Sequence, residues 1–284
     1  MRQTSSVLYI AVDALIPLRG SSLLGLDEFT AVLDHEGIPA VWLTSRSRLQ
    51  FDDPRRKHGH THPFIAEDGC AVYLPEGYFH LRPSSDTARS GKATTVRLGR
   101  FTCIPIAEAL PAAAEALQAL SQDTGVPLVT LRSLSPRELA QNTGLPQREA
   151  EFARQRDFDD TFFFAGASDA EVGGFLEEGR KRNIQFRQHG VLWSAAIGRS
   201  VQRCMRELTK LYERALRYHP HTLGIATPDL ADTLFPFCDR TILLTGGKAE
   251  EAAQNHPETP RSLRLSLHVP DLWERLLAAV AIKA

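Results

Sequence analysis

Apolar positions in the first eighty residues fall into short continuous runs separated by segments of helical spacing. "VLYIAV", beginning at Val7, is a β-branched run that delivers Asp13 just beyond its end. "LDEFTAVLDHEG" follows with Leu26, Phe29, Val32 and Leu33 on one helical face, and Gly37 marks its stop. "IPAVWLTS" reads as the next strand, and "HPFIAEDGCAVYLP" as two short strands around an Asp-Gly turn. This rhythm predicts a parallel sheet with right-handed crossovers.

The pattern changes in the middle. "LRPSSDTARSGKATT" is polar and reads as a linker. "PIAEALPAAAEALQALSQDTG" is an Ala/Leu-rich helix, while "LSPRELAQNTGL" and "SDAEVGGFLEEGRKRN" each open on a serine placed as an N-cap. "DDTFFFAG" suits a strand between them. From about Trp193 the first rhythm returns: "GRSVQRCMRELTKLYERALRYH" is a long amphipathic helix, "HTLGIAT" a strand, "LADTLFPFCD" a short helix and "RTILLT" a further strand. The expected organisation is a core of residues 1–81 and 191–284 interrupted by an α+β insertion over 82–190.

Composition adds exclusions. With 43% hydrophobic and 24% charged residues over 284 positions, the chain has the makeup of a globular protein large enough for two domains. A formal charge of −1 argues against nucleic acid or an anionic membrane as partner, and no apolar run is long enough to span a bilayer. No signal peptide is read at the start, and four well-separated cysteines without a CxxC pair suit reduced thiols in the cytoplasm.

Several stretches resemble mannosyl-3-phosphoglycerate phosphatases of the haloacid dehalogenase (HAD) superfamily: "GIPAVWLTSRSR", "PFIAEDGCAVYLPEGYF", "LSPRELAQNTGLPQREAEFARQRDFDDTFFF" and "CDRTILL", in family order over most of the chain. The resemblance implies an α/β fold: a Rossmann-like HAD core, its parallel sheet flanked by helices, with an inserted α+β cap of the C2 type. It also implies a Mg²⁺-dependent phosphatase acting on a phosphorylated glycosyl-glycerate or similar sugar phosphate. In that family an aspartate at the first strand's tip attacks phosphorus, and a second aspartate two positions later protonates the leaving oxygen. A Ser/Thr and a Lys hold the phosphoryl oxygens, and two further acids join the nucleophile on Mg²⁺.

Carried over residue by residue, the motifs are incomplete. In one register Ala11 stands in the nucleophile's place and Asp13 in the general acid's; in the other, Asp13 is the nucleophile and Leu15 replaces the acid. Thr44 matches the phosphate-holding hydroxyl, with Ser45 and Arg46 beside it, and the family's Lys-Gly falls on Ile197-Gly198, leaving Arg199 as the nearest cation. The acidic loop falls on "ATPDLA", where Thr227 and Ala231 take the two acidic positions; Asp229 and Asp232 lie close by at a different spacing. Asp13, Asp229 and Asp232 are therefore the ligand set if a metal binds at all. The family's Glu-Asn-Gly turn meets Glu67, Asp68 and Gly69, and its cap motif meets Arg156, Asp157, Phe158, Asp159 and Asp160, with Arg154 nearby.

Two readings follow. One is a phosphatase of this family that is weakly active or inactive, a pseudoenzyme. The other is a non-catalytic regulatory protein that uses the cleft for an anion, such as a small phosphorylated ligand, or for a protein partner. Asp13 serves either as a residual acid or as a strand-end cap. Thr44, Ser45 and Arg46 form either an anion grip or an N-cap. Arg154, Arg156, Asp157 and Asp160 either meet a ligand or brace the cap. His58, His60 and His62 alternate in "KHGHTHP", which reads chiefly as a polar loop and secondarily as a metal site, and Trp193 is expected to fill part of the old pocket.

Overall fold

In a computed structural model the chain is described over residues 6–17, 21–79, 95–246 and 261–281. The polar stretch read as a linker falls almost wholly outside these residues. The first half of the core contains β1 (Ser6–Ala11), α1 (Leu26–His35), β2 (Ala40–Leu43), α2 (Arg48–Lys57), β3 (Phe64–Ala66), β4 (Ala71–Pro75), β5 (Val96–Leu98) and β6 (Phe101–Pro105). Then come α3 (Leu110–Thr124), β7 (Leu128–Thr130), α4 (Pro136–Thr143), α5 (Gln147–Ala153), β8 (Asp160–Phe164), α6 (Asp169–Lys181), β9 (Ile184–His189) and β10 (Leu192–Ile197). The chain closes with α7 (Val201–Leu216), β11 (His221–Ala226), α8 (Pro228–Leu234), β12 (Arg240–Thr245), β13 (Ser262–Ser266) and α9 (Leu272–Ala281).

Nine strands form the large sheet in the order β13-β12-β11-β1-β2-β3-β4-β6-β5, parallel from β13 to β3 and antiparallel from β3 to β5. The first strand is apolar without interruption because both of its faces are covered. Leu8 and Ile10 pack with Phe29 of α1, Phe51 of α2 and Leu276 of α9, while Val7, Tyr9 and Ala11 pack with Met205 and Leu208 of α7 and Leu234 of α8.

A second, antiparallel sheet, β7-β8-β10-β9, carries α3 and α6 on one face through Leu117, Leu120, Phe162 and Phe175. Both serines read as N-caps, Ser135 and Ser168, form reciprocal capping boxes with Glu138 and Glu171. The sheets redraw the expected division. Residues 96–105, assigned to the insertion, pair with β4 in the large sheet, and β10, assigned to the core, pairs with β8 and β9 in the small one. The cap therefore runs from α3 to β10. Pairing partners distant in sequence decide membership, and strand periodicity does not reveal them.

Among the described residues, no helix is long and apolar enough to cross a membrane. All four cysteines are free thiols.

Candidate functional site

The parallel strands β1 and β2 bring Ala11 level with Leu43, so the turn holding Asp13 and the loop starting at Thr44 emerge side by side. Ala11 is fully buried in the apolar layer beneath α7. Asp13, two residues on, is engaged on both carboxylate oxygens. Oδ1 accepts from Thr44 Oγ1 at 2.5 Å, and Oδ2 accepts from the Ser45 N–H at 2.8 Å and from Ser45 Oγ at 2.6 Å. Arg46 Nε lies 3.9 Å from Oδ1, and the same guanidinium donates to the Ile16 carbonyl. Hydrogen bonds to an ionised group contribute about 1.5–3 kcal/mol each, so this loop is a strong oxyanion cradle already holding a carboxylate of its own chain. The N-cap of α2 is Ser47, which accepts from the Gln50 N–H; the preceding three residues are thus free of that duty.

The residues proposed for Mg²⁺ do not assemble with Asp13. Asp229 accepts from the Thr227 hydroxyl at the start of α8, Asp232 lies one turn further on, and Ala231 is buried against Leu243. Among the described residues, the trio of potential metal-ligating side chains with ligand atoms within 4.8 Å of one another is Glu67, Cys70 and Asp159. That trio does not fit a cation. Glu67 accepts the backbone N–H groups of Asp157, Phe158 and Asp159 at 2.9–3.0 Å, and Asp159 is held by the guanidiniums of Arg156 and Arg199. Hard-oxygen coordination needs lone pairs that these donors already occupy.

This trio instead belongs to a polar junction between cap and core. The turn from Glu67 to Cys70 joins β3 to β4 with Glu67 at φ 52°, Asp68 at 55° and Gly69 at 96°, three successive left-handed residues. Both chain crossings into the cap rest on it. The N–H groups of Ile106 and Ala107 donate to the Cys70 carbonyl, and that of Ser200 to the Gly69 carbonyl. From the cap, Arg156 reaches the Ser45 carbonyl at 2.7 Å, and Asp157 accepts from Arg48 Nε at 3.0 Å and from the Tyr73 hydroxyl at 2.8 Å. His189 of β9 bonds Asp68 through Nε2 at 2.7 Å.

The sequence-derived candidates divide accordingly. Arg156 and Asp157 bridge to the core, whereas Arg154 bonds the Arg132 carbonyl and Asp160 pairs with Arg132 at 2.9 Å, both inside the cap. Arg199 is not presented to Asp13 as a replacement for lysine: its Nη2 bonds Asp159 at 3.0 Å and Ser194 Oγ at 2.9 Å. Trp193 does not fill a pocket. It sits in β10, packed on Phe164 in the cap's own core. The three alternating histidines diverge, His58 to Asp27 and Ser22, His60 to the Ala40 carbonyl and His62 to Asp34 and Tyr78. Ser22, His58 and Asp27 follow a hydroxyl–imidazole–carboxylate sequence, but the Asp27 side chain is 68% exposed, so the set staples a loop to α1.

Asp159 entered only as a member of the cap motif, with no role of its own, and His189, Arg48 and Tyr73 were not among the candidates. Asp159 offered the one usable signal, an extra acid between Asp157 and Asp160; the others are ordinary strand or helix residues made polar partners by packing.

The junction titrates. Burial, reinforced by the Asp159 carboxylate, pushes the Glu67 carboxyl up to about 8 against the pull of Arg156 and the N–H donors. Burial works against ionised Asp68, but the bond to His189 and the charges of His189, Arg199 and Arg156 hold it at about 2. His189, also opposed by burial, is raised by Asp68. A raised folded pKa means that the native state keeps a proton the unfolded chain releases. The Glu67 contribution is therefore full below its unfolded value of 4.5 and is lost as pH rises through about 8. The expected result is that the stability difference between wild type and Glu67→Gln shrinks as pH rises from 5 to 8, read by urea denaturation at each pH. A difference that grows over this window would contradict the assignment.

No protein-family model matches the chain. It is similar to the glucosyl-3-phosphoglycerate/mannosyl-3-phosphoglycerate phosphatases of Methanococcoides burtonii, 22% identical over 186 residues, and Persephonella marina, 24% identical over 193. These matches cover 64% and 67% of the chain and 64% and 66% of the two relatives, just under two thirds of the relatives' length. The mannosyl-3-phosphoglycerate phosphatase of Pyrococcus furiosus is 23% identical over 223 residues, covering 78% of this chain and 84% of the relative. Among solved structures, a HAD subclass IIB sugar phosphatase aligns with a TM-score of 0.61 at 12% identity, over 96% of this chain and 98% of that one. A haloacid dehalogenase-like hydrolase from Bacteroides thetaiotaomicron aligns with a TM-score of 0.61 at 9% identity, over 97% and 100%. The chain has the HAD fold, a Rossmann-like core with an inserted cap, and it has relatives among sugar phosphatases.

Proposed function

We propose that this chain is a cytoplasmic offshoot of the mannosyl-3-phosphoglycerate phosphatases in which phosphoryl transfer is weak or lost, and that it works by binding a small anionic molecule. The observation that carries this reading is the engagement of Asp13: the donors suited to a phosphoryl oxygen, Thr44 Oγ1 and the Ser45 N–H and hydroxyl, are taken by an internal carboxylate. Ala11 at the end of β1 has no nucleophilic atom, and Arg199 is committed to Asp159. The acids that would neutralise a phosphate through Mg²⁺ are dispersed. Each missing electrostatic element typically lowers a rate about a hundred- to a thousand-fold, and loss of the nucleophile removes the covalent route itself.

The test is phosphate release from glucosyl- and mannosyl-3-phosphoglycerate, with and without Mg²⁺, for wild type and Asp13→Asn. Release at the uncatalysed level, unchanged by the substitution, is the expected result. Mg²⁺-dependent turnover that disappears in Asp13→Asn would establish an active phosphatase and end the proposal.

A further inference from the structure

The outer face of α7 carries Arg203, Arg206, Lys210 and Arg214, spaced by three or four residues, and Arg217 follows at the helix's C-cap. At 3.6 residues per turn the first four fall within an arc of about 80° and run about 16 Å along the axis. All five are exposed, while the opposite face of the helix, with Cys204, Met205, Leu208, Leu211 and Tyr212, is buried against the core. The two glutamates of the helix flank the arc and are already engaged, Glu207 with Lys210 and Glu213 with His219.

The charge of this stripe is not cancelled within the chain. Arg203 donates to the Ile106 carbonyl, but the side chains of Arg206, Arg214 and Arg217 have no ion-pair or hydrogen-bond partner among the described residues. Other basic runs differ: Lys181 pairs with Glu177 and Glu178, Arg182 with Asp123 and Glu178, and Arg56 with Asp52 and Asp53. Helix stability does not call for the whole stripe either. Cations in the last turn complement the helix dipole, but Arg203 lies in the first turn, where acids are favoured and α7 has none.

We propose that the outer face of α7 is a docking surface for an acidic helical segment of another protein. Carboxylates spaced by three or four residues on a partner helix repeat along a line at the same interval as these cations, as the e and g positions of a coiled coil do. Arginine, which supplies four of the five cations, pairs bidentately with carboxylate. Charge complementarity favours such a partner over the other polyanions. None of the exposed large apolar side chains described lies on α7, so the face has no anchor to sink into a lipid surface and no aromatic platform for single-stranded nucleic acid. The formal charge of −1 gives no long-range pull toward phosphate polymers, so recognition here is local. The proposal does not depend on the state of the Asp13 cradle.

The probe is a fluorescent Glu/Ala helix of about 18 residues, long enough to span the stripe at about 1.5 Å per residue, with its glutamates on one face. Anisotropy titration with the full chain is expected to show saturable binding that weakens as salt rises from about 0.05 to 0.3 M. A peptide of the same composition with its glutamates spread around the helix is expected to bind less tightly. Exposed ion pairs contribute up to about five-fold each, so Arg206→Gln/Arg214→Gln/Arg217→Gln is expected to weaken binding about ten-fold or more. Lys181→Gln/Arg182→Gln, on the neutralised run of the cap, and Asp13→Asn leave it unchanged. Equal binding of the two peptides overturns the proposal, as does binding that survives the triple substitution. Tighter binding to duplex DNA or to phosphatidylserine vesicles than to the one-faced peptide also overturns it.

Discussion

Asp159→Ala is expected to be among the most damaging single substitutions in the protein, costing about 3–5 kcal/mol, the usual range for removing one partner of a buried ion pair. Asp159 is fully buried and accepts from Arg156 and from Arg199, so its loss strands two guanidiniums inside the protein. Burial alone would push both arginines toward deprotonation; Asp159 and Glu67 beside Arg156, and Cys70, Asp159 and Asp68 beside Arg199, more than reverse this, and both are raised above the ordinary guanidinium value. The damage is expected to centre on the junction. Hydrogen exchange should accelerate in β8 and β10 before it does in the parallel core, because Arg156 ties the start of β8 to the Ser45 carbonyl and Arg199 ties the end of β10 to Cys70 of the turn. A loss of under about 1 kcal/mol in urea denaturation, within the range of exposed pairs, would show that the network is not the brace described.

The second large effect concerns Gly69→Ala. At φ 96° an alanine is strained by about 1–2 kcal/mol for the left-handed conformation alone. Its Cβ would also lie 2.7 Å from the backbone N of Val201 and 2.8 Å from Cγ2. The first contact is with backbone and cannot be relieved by a rotamer change, so either the turn or the start of α7 must move, and overpacking of this kind adds about 1–3 kcal/mol. Gly77→Ala provides the control: its φ is 76°, but nothing lies within 4 Å of the added carbon, so only the conformational cost applies. Equal destabilisation of the two variants would show that the close approach of turn and helix does not matter. Greater loss in Gly69→Ala is the expected result, because the added carbon meets the backbone where α7 begins.

Much of this architecture was legible because it rests on short-range patterns. The alternation of β1 onto two apolar layers, the helical spacing of Leu26, Phe29 and Leu33, and the serines at 135 and 168 are each decided within a few residues. The Asp-Gly turn between β3 and β4 was readable for the same reason. The limits of the cap were not. Residues 96–105 carry the pattern of any short hairpin, and only their pairing with β4 assigns them to the core. Arg199 looked like a substitute cation, and nothing local shows that its guanidinium turns to Asp159, 40 residues away. Glu67 could be named from its turn, but its three N–H donors lie about ninety positions downstream.

By itself, the sequence determined the sheet's buried strands, the helix caps and the absence of an acid at position 11, because those depend on residue type and near neighbours. The tertiary structure decided what the remaining charges do. It turned Asp13 into the occupant of its own oxyanion cradle and made Asp159 the centre of a brace. The physical reason is reach. A charged group is satisfied by whichever partner folding carries within about 3 Å of it, and distance along the chain holds no record of that meeting.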